Sequence, residues 1–243
     1  MKVALIGDIH ANLPALEAVL AHAAEQGVSA IWNMGDSIGY GPFPNEVVHR
    51  LQEEDVLSTL GRFDHQVLRF KKRREKWRKD KLPETYLSLL WTYEQLSKKN
   101  RKYLRFLSKE MRMRVEGNHV LLTHTSPGWT KNFIAPDTPS DQVQRLLSEA
   151  DADVIICGCS HQAFAQHVDG AWIISPGSVG QPCDGDPRAS YAVAEFKSKK
   201  IEVQHYRVAY DLEQLVAAIR ENDLPDAIAQ MFLQGRDLDD ILT

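Results

Sequence analysis

The stretch Lys2-Val3-Ala4-Leu5-Ile6-Gly7-Asp8-Ile9-His10-Ala11-Asn12 constrains this chain more than any other. Its first half is a short, continuously apolar run of the kind a strand buried on both faces requires. The run stops at a glycine followed by two side chains able to bind a metal. In an open α/β sheet, chemistry gathers just beyond the carboxyl ends of the strands, which is where Asp8 and His10 stand. Two apart in a turn, a carboxylate and an imidazole can aim at one cation, although alone such a pair is more often a turn former.

The pattern then repeats. Pro14 to Gly27 reads as a helix with Leu16, Val19 and Leu20 on one face and a glycine stop. Ser29 to Met34 is a second buried strand, completing a βαβ unit and ending in Gly35-Asp36-Ser37. After the tight loop Gly39-Tyr40-Gly41-Pro42, Pro44 starts a helix through Gln52, and Val56 to Leu60 is a third strand ending in Gly61-Arg62-Phe63-Asp64. Three successive strands thus deliver a glycine and an aspartate to one edge.

The region from His65 to Arg114 predicts two or three helices, one opening at Leu82-Pro83-Glu84 with Leu87, Leu90, Trp91 and Tyr93 as its apolar face. Val120 to His124 and Val154 to Cys157 return to strand, with a helix from Ser140 to Leu147 between them. Phe164–Val168, Trp172–Ile174, Tyr191–Phe196 and Ile201–Tyr206 then follow at hairpin-like spacing, which predicts a second, largely antiparallel sheet. Helices broken at Pro225 occupy Asp211 to Leu233.

At 243 residues and 43% hydrophobic content the chain suits a single domain with an insertion. No apolar run approaches the roughly 20 residues of a membrane helix, and the start lacks the pattern of a signal peptide, so the expectation is a cytoplasmic protein that does not enter membranes. Cys157, Cys159 and Cys183 form no even framework and are expected as reduced thiols. The formal net charge of −4 hides an asymmetry: residues 66–114 hold 17 of the 29 Lys and Arg but 5 of the 33 Asp and Glu. Twelve positive charges in excess there leave sixteen negative ones in excess elsewhere. The run Lys71 to Lys81 reads either as a solvated helix face or as a basic wall recruiting a polyanionic or nucleotide-like ligand. Nucleic acid is a lesser alternative partner.

The strand-end polar groups collect as Asp8, His10, Asp36, His124 and His161, with Cys159 and Asp64. Imidazole and carboxylate together suit zinc, manganese or iron, and a thiolate tilts the preference toward zinc. These residues lie in an ordered set of motifs. Gly7-Asp8-Ile9-His10-Ala11-Asn12, Gly35-Asp36-Ser37-Ile38-Gly39-Tyr40-Gly41-Pro42 and Thr123-His124-Thr125-Ser126-Pro127 are followed by Pro176-Gly177-Ser178-Val179-Gly180-Gln181-Pro182 and Asp184-Gly185-Asp186-Pro187-Arg188-Ala189-Ser190-Tyr191. The set resembles the calcineurin-like metallophosphoesterases, in their bacterial phosphodiesterase-like branch related to diadenosine tetraphosphatases.

The resemblance implies a four-layer α/β/β/α metallophosphoesterase sandwich with a dinuclear metal centre where the two sheets meet. The position and charge of the basic helical insertion at about 65–114 make it a cap on that site within a single domain of 1–243, and the donor set predicts one or two divalent ions (zinc, manganese, iron or nickel). Asp8, His10 and His161 would bind the first metal, Asp36 would bridge, and His124 would bind the second; a hydroxide between them would attack phosphorus. Two motifs depart from the pattern. Where the family has Gly-Asn-His-Asp, this chain has Gly61-Arg62-Phe63-Asp64, and where it has Gly-His-Thr-His, this chain has Gly158-Cys159-Ser160-His161. Arg62 thus replaces an Asn ligand of the second metal, Phe63 the His that assists the leaving group, and Cys159 a His ligand. Either Asp36, His124 and Cys159 still hold a second ion, or the Arg62 guanidinium fills the vacancy and presents a fixed cation to phosphate. The expected function is metal-dependent hydrolysis of phosphodiesters or phosphomonoesters on a phosphorylated small-molecule or nucleotide-like substrate, with Asp36, Arg62 and His124 as the catalytic set. The alternative is a degenerate member that binds metal and phosphate with little turnover, as a sensor or scaffold.

Overall fold

The computed structural model describes residues 1–130, 132–198 and 200–243. One sheet is built on the predicted βαβ unit: β1 (Lys2–Ile6), α1 (Leu13–Glu25), β2 (Ala30–Asn33), α2 (Pro44–Glu53) and the two-residue β3 (Leu57–Ser58). These strands pair in parallel, Val3 opposite Ala30 and Trp32 opposite Leu57. Asn12 caps α1 by accepting from the Ala15 amide, with proline in the first turn.

The second sheet is not the one the late strands predict. The four hairpin-spaced strands divide in pairs. β7 (Ala163–Val168) and β8 (Ala171–Pro176) join the sheet of β5 (Asn118–Thr123) and β6 (Val154–Ile156), while β9 (Ala189–Lys197) and β10 (Lys200–Val208) join the first sheet. The reason is that β9 finds β1 as an antiparallel neighbour, Lys2 opposite Glu195 and Leu5 opposite Ala192. Both sheets are therefore mixed: β5, β6 and β8 run parallel, with antiparallel strands at the two edges.

Residues Glu110–Val115 form one of those edge strands, β4, rather than the end of a helical insertion. The helical part is α3 (Arg62–Asp80), α4 (Pro83–Gln95) and α5 (Lys98–Phe106). The apolar face of α4 also differs from expectation. Leu87 is 45% exposed, whereas Ser88, Leu89 and Thr92 are buried. Trp91 packs toward the C-terminal helices, and Leu90 and Tyr93 flank the core of the three helices. A helix wedged between two packed neighbours has no single clean stripe.

Alternation along the strands makes the layers. Val3 and Leu5 meet Val120, Leu122, Val154, Ile156 and Ile174 between the sheets, while Ala4 and Ile6 face Leu16, Val19 and Leu20 of α1. On the far side, Leu121, Ile155 and Ile173 pack on Val143 and Leu147 of α6 (Ser140–Ala150). The order is helix, sheet, sheet, helix. α7 (Leu212–Glu221), α8 (Asp226–Gln234) and α9 (Leu238–Leu242) complete the chain. No described helix is long and apolar enough to cross a membrane.

Candidate metal centre

The site forms where the carboxyl ends of β1 and β2 face the loops after β5 and β6. Its backbone is unusual: Asp8, His10, Ala11, Asp36, Cys159 and His161 all have φ between 49° and 70°. Left-handed geometry at a residue other than glycine costs on the order of 1 kcal/mol, and Asp and His tolerate it better than most. Hydrogen bonds fix the two turns together: the amides of Asp8, His10 and Ala11 donate to the carbonyls of Gly35, Asp36 and Ser37 at 2.9, 3.0 and 3.0 Å. Glycine is obligatory beside them, since a Cβ on Gly61 would overlap the Asp36 amide and Oδ1. These turns aim the side chains, and sequence periodicity carries no trace of them.

Each buried carboxylate has one oxygen held by backbone. Asp8 Oδ2 accepts from the Cys159 amide at 3.0 Å, and Asp36 Oδ1 from the Phe63 amide at 2.5 Å, at the start of α3. The other oxygens turn inward. Asp8 Oδ1 lies 3.4 Å from His161 Nε2 and 4.0 Å from His124 Nδ1, and Asp36 Oδ2 lies 3.2 Å from His124 Nε2. His124 Nδ1 and His161 Nδ1 donate to the carbonyls of Met34 and Gln181 at 2.9 and 2.8 Å, which leaves each Nε2 facing the centre. His10 Nε2 stands 3.3 Å from His161 Nε2.

Electrostatics follow from this crowding. Burial and the neighbouring His161 push His10 down to about 4. For His161 burial opposes the charge, but Asp8 prevails and raises it to about 9. His124 is likewise raised despite burial, by Asp36. Asp36 is held below the usual carboxylate range by His124, again against burial.

Two groups of ligand atoms each lie within 4.8 Å of one another: Asp8, His10 and His161, and Asp8, Asp36 and His124. Asp8 belongs to both. Asp8 Oδ1, His10 Nδ1 and His124 Nε2 are buried without a hydrogen-bond partner. Carboxylate oxygens and imidazole nitrogens that approach closely yet fail to align as donor and acceptor are what a shared cation would satisfy, so the residues fit divalent metal.

Cys159 and Arg62 lie beside the centre, outside both groups. Arg62 Nη1 donates to Cys159 Sγ at 3.6 Å. Asp64 turns away: its oxygens accept from the Ile38 and Gly61 amides, each at 3.0 Å, and burial together with Asp36 pushes its carboxyl up to about 7. Phe63 stands edge-on to His10, with ring centroids 5.6 Å apart.

A cavity of about 390 Å³ opens above the centre. His10, Asp36, Cys159 and His161 line it, together with Tyr40, with Arg62, Phe63 and Gln66 of α3, with Lys81, Leu82 and Thr85 where α3 gives way to α4, and with Gln181, Asp237, Leu238 and Asp239. Lys71, Lys72, Arg73 and Arg74 are exposed and do not line it, so the run read as a possible basic wall is a solvated face that contributes only Lys81. The C-terminal Asp237 and Asp239 carry no sequence signal, because no motif marks them; only chain folding brings them to the site.

Residues 1–199 match the model of the calcineurin-like phosphoesterase superfamily domain. An uncharacterized protein of Methanocaldococcus jannaschii is 32% identical over 96% of this chain and 98% of its own length. A metallophosphoesterase of Sphaerobacter thermophilus has a TM-score of 0.77 at 28% identity, covering 97% of this chain and 99% of that one. A hypothetical protein of Pyrococcus horikoshii shares the fold, with a TM-score of 0.88 at 21% identity over 96% and 98% of the two chains. With its sandwich and its paired ligand groups, the chain belongs to the calcineurin-like phosphoesterase superfamily.

Proposed function

We propose that this protein hydrolyses phosphoesters of small or nucleotide-like molecules, using one or two divalent ions held by Asp8, His10, Asp36, His124 and His161. The observation that supports this most directly is the convergence of unpartnered carboxylate and imidazole atoms beneath an open cavity. The donor set suits zinc, manganese, iron or nickel. Such ions, when bound, lend Lewis acidity to a phosphoryl oxygen and to the attacking water. Arg62 presents a fixed cation to an anionic group of the substrate at the edge of the centre, and Cys159, which accepts from Arg62, lies outside the two ligand groups. Phe63 has no proton to give, and general acid assistance is typically worth about 10²–10⁴-fold, so esters with good leaving groups are the favoured substrates. The three free thiols suit the cytoplasm.

The test is metal analysis of the purified protein together with hydrolysis of p-nitrophenyl phosphate and bis-p-nitrophenyl phosphate, adding zinc, manganese and nickel in turn. Metal-dependent release of p-nitrophenol is expected. A protein that binds metal and phosphate yet hydrolyses neither ester with any ion would support the second reading, a sensor or scaffold, which Arg62, Phe63 and Cys159 motivate.

A further inference from the structure

Arg62 and Lys81 face the cavity without a carboxylate partner in the described residues: neither makes an ion pair, and the one hydrogen-bond partner of the Arg62 guanidinium is the weak acceptor Cys159 Sγ at 3.6 Å. Lys81 lies just past the last turn of α3, half-buried, with the Trp77 ring 5.6 Å below its Nζ. Burial and the nearby Arg62 disfavour its charge, against the favourable influence of Asp80. Two cations drawn together in a recess, neither in an ion pair with a carboxylate among the described residues, offer donors that a ligand anion can take up. Asp237 and Asp239 line the same cavity, with Asp237 acting on His161 of the centre, so Arg62 and Lys81 are the cations the cavity offers to a further anion.

We propose that Arg62 and Lys81 form a second anion subsite beside the metal centre, so that the substrate is a small organic phosphoester bearing a further phosphate or comparable anionic group. This rests on the phosphoesterase reading and narrows it. The phosphoryl group to be cleaved lies over Asp8, Asp36 and the histidines, and the second anion lies against the cap. Esters with a single anionic group leave Lys81 unpartnered and bind more weakly, because hydrogen bonds to charged groups contribute most when both partners are present.

The experiment is calorimetric binding of glucose 1-phosphate and glucose 1,6-bisphosphate to the metal-loaded protein, at one ionic strength. Wild type is expected to bind the bisphosphate about tenfold more tightly, the factor that one charged hydrogen bond supplies. In Lys81→Met the ratio of the two dissociation constants should collapse toward one, and in Lys81→Arg it should recover. Thermal melts of both variants establish that they are folded. A ratio that is already near one in wild type, or that Lys81→Met leaves at its wild-type value, overturns the subsite. The phosphoesterase reading fails separately, by absence of hydrolysis of the p-nitrophenyl esters, whatever the binding ratio.

Discussion

Asp8, His10, Asp36, His124 and His161 fall in two groups whose ligand atoms lie within 4.8 Å of one another, so in the proposed metal centre the loss of one of them would leave too few donors. Asp36→Ala and His161→Ala are expected to lose metal from at least one site, read by elemental analysis after gel filtration. Cys159→Ser should retain it, because its sulfur meets Arg62 outside both ligand groups. Full occupancy in Asp36→Ala would refute that assignment. Arg62 and Phe63 set a second expectation. The pair Arg62→Asn and Phe63→His returns a neutral ligand and an imidazole beside His10, and turnover of an ester with a poor leaving group should rise by about 10²-fold, the lower end of general acid catalysis. His65 is no substitute donor, since it stacks edge-on against Trp129 at 5.0 Å and does not line the cavity. A double variant no faster than wild type would show that Phe63 is not where an acid is missing.

At the level of elements, the start of α3 couples fold to site. Asp64 ties the amides of Gly61 and Ile38, the Phe63 amide holds Asp36, and Gly61 admits Asp36 because it has no Cβ. Asp64→Ala leaves two buried amides unpartnered, each costing about 1–3 kcal/mol, so urea unfolding should show a loss of about 2–6 kcal/mol. A loss below about 0.5 kcal/mol would mean that water replaces the carboxylate. Much of this arrangement was readable in the sequence, because β1, α1 and β2 carry strong apolar periodicity and each strand ends in Gly-Asp. Asp64 illustrates the limit: position alone made it resemble Asp8 and Asp36, and only the direction of its side chain, set by the helix start, removes it from the centre. β4 and the apportioning of β7 to β10 were not legible either. Strand pairing is non-local, and the alternation in Tyr191–Phe196 does not say which sheet it will join.

Across the whole molecule the charge is divided as the composition suggested, yet its placement is not. The helical insertion holds most of the basic excess, but Lys71, Lys72, Arg73 and Arg74 point into solvent from the middle of α3. Interactions between exposed charges are screened over about 8 Å at physiological ionic strength, so charges outside the cavity wall act on a ligand weakly once salt is present. Arg62 and Lys81 line the cavity and are half-buried. Changing Lys71, Lys72, Arg73 and Arg74 together to Ser should therefore leave the Michaelis constant for p-nitrophenyl phosphate within about twofold of wild type at physiological salt, with the same slope as salt is raised. If the quadruple variant instead lost affinity in parallel with its lost charge, most strongly at low salt, the field reaching the cavity would come from the whole insertion, and the two cations at the wall would be only part of a larger basic surface.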